Sequence, residues 1–244
     1  MTHIEQLRHF LEHTASAESE RRKNAEPAPL PEKPVPDGSV LQPLPEPELL
    51  QDQHVNFLEL VELRTTQRQY SSQPLTLQEL SYLLWCTQGV KMPLANGGSM
   101  RTVPSAGARH ALETYLYIRR VEGLQPGLYR FLAFEHALVQ MEAVSEEQFF
   151  EAFSKRPVVL GSAVTFLWAA EADRMLYQFG ARGIRYLYLD AGHVCENLYL
   201  AAESLHIGAC ALGSFDDEKL NAVLKLEEDA GEFIVYAAAV GKLT

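Results

Sequence analysis

Apolar residues recur along this chain in two rhythms, and the change from one to the other marks out its elements. Over residues 2–13, Ile4, Leu7, Phe10 and Leu11 fall along one side of a short amphipathic helix. Thr76–Leu77–Gln78–Glu79 has the form of a capping box, in which Thr76 and Glu79 satisfy backbone N–H groups reciprocally. Behind it Leu80, Leu83 and Leu84 make an apolar helix face that ends around Gly89. Loop residues follow, through Gly97–Gly98 and the stretch RTVPSAGARH. The strand-like ETYLYI, a turn at EGLQPG, then LYRFLAF and ALVQM predict an antiparallel meander. Ser145 with Gln148 opens another helix, and PVVLGSAVTFLWAA reads as one long strand. From Gly183 to Leu205 the residues Leu187, Ala191, Val194, Leu198 and Ala202 share a helix face. EFIVYAAAVG, near the last residue, is a strongly apolar strand.

Strands and helices alternate irregularly, without repeated βαβ units, which favours an α+β fold over a doubly wound sheet. No GxGxxG follows a strand and no GxxxxGK[ST] occurs, so the dinucleotide and P-loop fingerprints are missing. From Ala25 to Leu49 proline and glutamate dominate; repeated prolines forbid regular helix and favour an extended path. That stretch fits either a flexible leader or an arm lying across a partner subunit. The boundaries are therefore a leader over residues 1–57, a short helix plus a Pro/Glu-rich arm, and one domain over 58–244.

Composition narrows the classes. Of 244 residues 47% are apolar and the net charge is −11, which argues against a general binder of nucleic acid or anionic membrane. The N-terminal MTHIEQLRHFLEH lacks the apolar run of a signal peptide, and no stretch of about 18 apolar residues occurs. Cys86, Cys195 and Cys210 are scattered and form no CxxC pair, as expected of reduced thiols in a cytoplasmic protein.

Three segments carry candidate chemistry. In Arg64-Thr65-Thr66-Gln67-Arg68 two guanidiniums four residues apart can converge on one anion, because the planar fork of arginine pairs with phosphate oxygens. The bland alternative is a solvated arginine pair. In Pro104-Ser105-Ala106-Gly107-Ala108-Arg109-His110, Pro and Gly bracket small residues, so backbone can approach a flat ligand. Otherwise it is an ordinary tight loop, with His110 structural. In the segment from His206 to Phe215 small residues again let backbone lie against a ring system. His206 and Cys210 are spaced i, i+4, but with Gly208 between them and no carboxylate or further histidine nearby, no metal site is expected.

Taken together the pieces resemble the nitroreductase family. The motifs are R-[ST]-x-x-R, then P-L-[ST]-L-x-E-L-S-x-L-L-W-x-T-Q-G-V, then R-T-x-P-S-A-G-A-R-H. E-G-L-x-P-G-L-Y at 122–129, Y-x-F-G-x-R-G-x-R-Y at 177–186 and D-A-G-H at 190–193 complete the set. The likeness covers residues 58 to 244, and more narrowly it is to the branch with the azoline dehydrogenases of thiazole- and oxazole-peptide biosynthesis. It implies a central antiparallel or mixed sheet flanked by helices, in an intertwined homodimer with FMN at the interface. On matching positions, Arg64, Thr65 and Arg68 would hold the FMN phosphate and ribityl chain, and Lys242 would add a cation at the phosphate. Pro104, Ser105, Ala106 and Gly107 would approach the isoalloxazine from the partner subunit, and Leu212 and Gly213 would lie close to it. The implied activity is ping-pong transfer from NADH or NADPH to a small nitro, quinone or related acceptor. Flavin N5 carries the chemistry and no side chain acts as nucleophile. Azoline dehydrogenases of the branch carry a Lys-Tyr pair where this chain has Gln178 and Phe179, which can neither take up a proton nor offer a phenol. That departure weighs toward a reductase over a peptide azoline dehydrogenase, with a non-catalytic flavin-binding protein as third reading.

Overall fold

A computed structural model describes residues 2–15, 28–47, 56–95 and 97–244. Among them seven strands form one antiparallel sheet: β1 (Leu41–Pro43), β4 (Leu112–Ile118), β5 (Gly127–Leu132), β6 (Ala137–Gln140), β7 (Val164–Glu171), β8 (Ile207–Leu212) and β9 (Glu232–Lys242). Their spatial order is β1-β6-β5-β4-β7-β9-β8, and every neighbouring pair is antiparallel. A separate hairpin joins β2 (Val90–Pro93) to β3 (Ser99–Arg101), where the sequence suggested only loop.

The strand period of two gives the sheet two buried faces. On one, Leu112, Leu116, Ile118, Phe166, Trp168 and Val240 pack against α3 (Leu77–Gln88) and α7 (Gly183–Ser204). On the other, Tyr115, Tyr117, Leu167 and Ala237 meet α4 (Glu146–Ala152), α5 (Pro157–Gly161) and α8 (Asp217–Leu224). The remaining helices are α1 (His3–His13), α2 (Phe57–Leu63) and α6 (Ala172–Phe179). The capping box forms as the sequence suggested: Thr76 N–H donates to Glu79 Oε2 at 2.8 Å and Glu79 N–H to Thr76 Oγ1 at 3.1 Å. The expected long strand from Pro157 is instead split into α5 and β7. Pro157 occupies a first-turn position, where its missing N–H costs nothing, and the Ser162 hydroxyl closes the turn on the Val159 carbonyl at 2.9 Å.

After α2 the chain crosses the edge of the sheet as an extended segment. Gln67 N–H donates to Ala209 O (2.9 Å) and Ser71 N–H to Lys242 O (2.8 Å). The Tyr70 hydroxyl lies 2.8 Å from the Gln67 carbonyl and 3.0 Å from that of Ala239. Gly208 and Gly241 sit opposite each other beneath Tyr70. A Cβ at Gly241 would lie 2.8 Å from Tyr70 Cγ and 2.9 Å from Tyr70 Cβ, so absence of side chains is what admits the crossing.

The Pro/Glu-rich stretch lies, over residues 28–47, on its own chain; Ala25–Pro27 and Glu48–Leu49 fall outside the described residues. Leu41–Pro43 pairs with β6 as the sheet's edge strand. The Lys33 ammonium meets Glu232 at 2.6 Å and Glu171 at 3.0 Å, and its N–H donates to buried Glu113 at 2.9 Å. Arg174 donates to the Leu30 carbonyl at 2.7 Å, and Arg130 to that of Pro34 at 2.7 Å. Glu32 accepts the Ala133 N–H at 2.6 Å. Burial, with Glu113 and Glu135 adding repulsion, pushes its carboxyl up to about 7, against the pull of the Ala133 amide and Arg101.

Two outcomes follow from this packing. Gly241→Ala should lower unfolding free energy in urea by about 1–3 kcal/mol, because the base of the Tyr70 side chain must move; an unchanged midpoint would remove the crossing as a constraint. For Glu32 the folded value lies above the unfolded one, so its contribution is whole below about pH 4.5 and is lost as pH rises through about 7. Amide protection factors over residues 28–34, which remove the intrinsic rise of exchange with pH, should therefore fall between pH 5 and 8, and Glu32→Gln should flatten that dependence.

Candidate functional site

The first cluster forms where α2 ends. Arg64 leaves the helix in extended geometry (φ −51°, ψ 113°), and its guanidinium carbon lies 5.4 Å from the ring centroid of Tyr199 on α7. The Tyr199 hydroxyl accepts the Ala211 N–H at 2.7 Å and lies 3.2 Å from Thr66 Oγ1, so one phenol joins α7, β8 and the crossing segment. Gln67 Nε2 donates to Thr65 Oγ1 at 2.9 Å. Arg68 is exposed and borders the Cys210 thiol, whose pKa burial raises while Arg68 pulls it back. Among the described residues neither Arg64 nor Arg68 forms an ion pair, in contrast to Arg119 with Glu146 and Arg174 with Glu113.

Lys242 accepts the Ser71 N–H through its carbonyl but turns its side chain elsewhere. Its side chain pairs with Glu79, the capping-box residue of α3. It is opposite Ile207 at one end of β8, whereas Leu212 is opposite Ala237 at the other. Leu212 is buried in the core beneath α8, and the adjoining Gly213 is exposed beside Tyr236.

The second cluster is the loop Pro104–His110. Ser105 is extended (φ −143°), while Gly107 (φ +58°), Ala108 (+52°) and His110 (+45°) are left-handed. Two non-glycine residues in that region mark a backbone that its surroundings over-determine. A Cβ at Gly107 would lie 2.8 Å from Phe179 Cζ. Asp190 of α7 accepts the Ala106 N–H at 3.2 Å, and Ser105 Oγ accepts the His110 N–H at 2.9 Å. Burial raises the Asp190 carboxyl, with Ser105, the Ala106 amide and His193 acting against it; its Oδ2 has no partner among the described residues. The loop's polar groups are thus turned inward, leaving Pro104 and Gly107 exposed. Burial, then Arg101, pushes His110 down to about 3, so its ring is neutral at ordinary pH.

Both clusters rest on α7, at Tyr199 and at Asp190. Nine residues separate these stations, roughly 13.5 Å along the axis. Tyr199 and Asp190 thus hold the two clusters at separate points along α7. Trp168 is fully buried between Phe166 and Tyr236, while Phe179 packs on Gly107 and edge-on to Tyr186. Sequence reasoning passed over Tyr70 and Tyr199, which no motif distinguishes from core tyrosines. Asp190 had a signal, the D-A-G-H match, with no role attached.

The sequence model of the Nitroreductase family matches residues 61–242. Over 167 residues the chain is 36% identical to the Methanocaldococcus jannaschii protein MJ1384, which bears a nitroreductase name, covering 68% of this chain and 82% of that one. It is 26% identical over 154 residues to the trifolitoxin-processing protein TfxB of Rhizobium leguminosarum bv. trifolii, covering 61% of this chain but 41% of the relative. A Ralstonia eutropha crystal structure with a nitroreductase name superposes with TM-score 0.68 at 25% identity, over 91% of this chain and 96% of that one. With most of its length under that family's sequence model, and a relative of this identity matched over most of both chains, the chain belongs to the Nitroreductase family of oxidoreductases.

Proposed function

We propose that this protein is an FMN-dependent oxidoreductase that works as a homodimer, taking electrons from NADH or NADPH and passing them to a small nitro, quinone or related acceptor. The observation that carries the reading is the pair Arg64 and Arg68, which leave one turn without a carboxylate partner among the described residues. Two unpaired guanidiniums match the charge of a phosphate ester dianion, and their forked donors match its oxygens. Thr65 is exposed beside them and has its own hydroxyl proton to donate. Lys242, paired with Glu79, adds its charge at longer range.

The chemistry that FMN supplies when bound is reversible two-electron transfer, taking hydride from a reduced nicotinamide and returning electrons to an acceptor. Pro104, Ser105, Ala106 and Gly107 contribute a small, internally hydrogen-bonded surface that meets a flat ring by van der Waals contact. Leu212 and Gly213 bring the end of β8 to the same ring. The family resemblance set out above supports a site completed by the loop of a second subunit. So does the exposed apolar surface of α2 and α7, where Phe57 (68%), Leu58 (63%) and Leu189 (59%) meet solvent in a single chain.

The likeness to TfxB, a peptide-processing protein by name, supports a second reading as a peptide azoline dehydrogenase. Against it, Gln178 and Phe179 offer no proton acceptor, and Phe179 is committed to packing on Gly107. An anaerobic titration separates the two. Purified protein should show oxidised-flavin absorbance that bleaches stoichiometrically with NADH or NADPH. Bleaching by a thiazoline peptide alone would favour the second reading, and protein that neither carries nor takes up FMN would refute both.

A further inference from the structure

Beside the Pro104–Gly107 stretch is a cavity of about 170 Å³ that takes no part in the flavin contacts assigned above. Three stretches distant in sequence enclose it. Pro29 and Pro31 come from the arm, Gly97 to Ser99 from the β2–β3 hairpin, and Ala108 to His110 from the left-handed part of the loop. Residues 28–31 lie outside the 61–242 span that matches the family model.

Arg174 fastens the enclosure. Its Nε donates to the Leu30 carbonyl (2.7 Å), Nη1 to the His110 carbonyl (3.5 Å) and Nη2 to Glu113 (2.6 Å). One guanidinium thus ties arm, loop and sheet, and its charge is answered by Glu113. His110 is hydrogen-bonded to the Ser99 backbone and contributes a neutral ring. Arg109 differs from both. It lines the cavity half-buried, and its recorded contact is Nε to the Gly107 carbonyl at 3.3 Å, with no ion pair among the described residues. The enclosure therefore combines apolar proline and alanine surface with one guanidinium that has no carboxylate partner among the described residues.

We infer that this arm-walled cavity binds a small aromatic carboxylate, its ring against Pro29 and Pro31 and its carboxylate on Arg109. The volume suits one substituted ring, since a dry cavity of about 150 Å³ accepts benzene. The planar fork of arginine suits a carboxylate better than a neutral group of equal size. The cavity adjoins Gly107 through Ala108, so such a ligand sits next to the surface assigned above to the flavin. This inference rests on that reading only for its catalytic consequence, an acceptor site that prefers anionic nitroaromatics; the binding step stands without it.

Calorimetric titration of the full-length protein with benzoate, and separately with benzamide, tests the binding on its own. Benzoate should bind saturably and benzamide at least about tenfold more weakly. Arg109→Ala should weaken benzoate about tenfold or more and leave benzamide unchanged, while Arg109→Lys retains part of the affinity. Absence of saturable benzoate binding would overturn the inference. So would a loss seen with Arg64→Ala instead of Arg109→Ala, which assigns the carboxylate to the other arginines. In turnover, Arg109→Ala should raise KM for 4-nitrobenzoate by a larger factor than KM for nitrobenzene. Benzoate binding without any turnover would overturn the oxidoreductase reading and leave the site standing.

Discussion

The fit of Tyr70 over two bare glycines is the contact on which the placement of the candidate site depends. Gly208 and Gly241 face each other across the β8–β9 pair, and the tyrosine ring occupies the room their missing side chains leave. With the ring seated, its hydroxyl reaches the carbonyls of Gln67 and Ala239, and the Gln67 and Ser71 amides find sheet carbonyls to bond. Gln67 and Ser71 are then tied to the sheet edge by backbone hydrogen bonds, whose loss in a half-buried place is costly. The two arginines inherit their position from this crossing, and α7 adds the Tyr199 ring beneath Arg64.

The same economy of position recurs in the second cluster. Asp190 and Phe179 hold the Pro104–His110 loop from opposite sides, one by accepting an amide and the other by filling the space over Gly107. Around it runs a charged layer in which Lys33, Glu171, Glu232, Glu113 and Arg174 join the arm to strands β4, β7 and β9. Buried ion pairs stabilise little in net terms, but removing one partner leaves a costly charge, so such a layer fixes one arrangement of the arm. A net charge of −11 makes the local cations more conspicuous, since anionic ligands approach against the overall field.

Much of the fold was legible because its signals are local. The Thr76–Glu79 box, the alternation from Leu112 to Gln140 and the one-sided face of α7 each need only neighbours in sequence. Helix α5 was not legible, because PVVLG is as apolar as the strand after it and only Pro157 hinted at a helix start. Composition left the arm's path open. Prolines do keep it extended, but Lys33 and Glu32 find their partners eighty to two hundred residues away, a distance no window of sequence spans. At Gly208 the small residue makes room for a side chain of the same chain. The ring recorded there is that of Tyr70.

The central claim, that the crossing presents Arg64 and Arg68 to a phosphate, is tested most directly by comparing affinities for FMN and riboflavin, which differ only in that group. Fluorescence titration of flavin-free protein should give FMN at least about a hundredfold tighter than riboflavin, some 2.7 kcal/mol, with the gap closing in the Arg64→Ala, Arg68→Ala double variant while riboflavin affinity holds. Equal affinity for the two flavins, or a gap that survives loss of both arginines, would contradict the account.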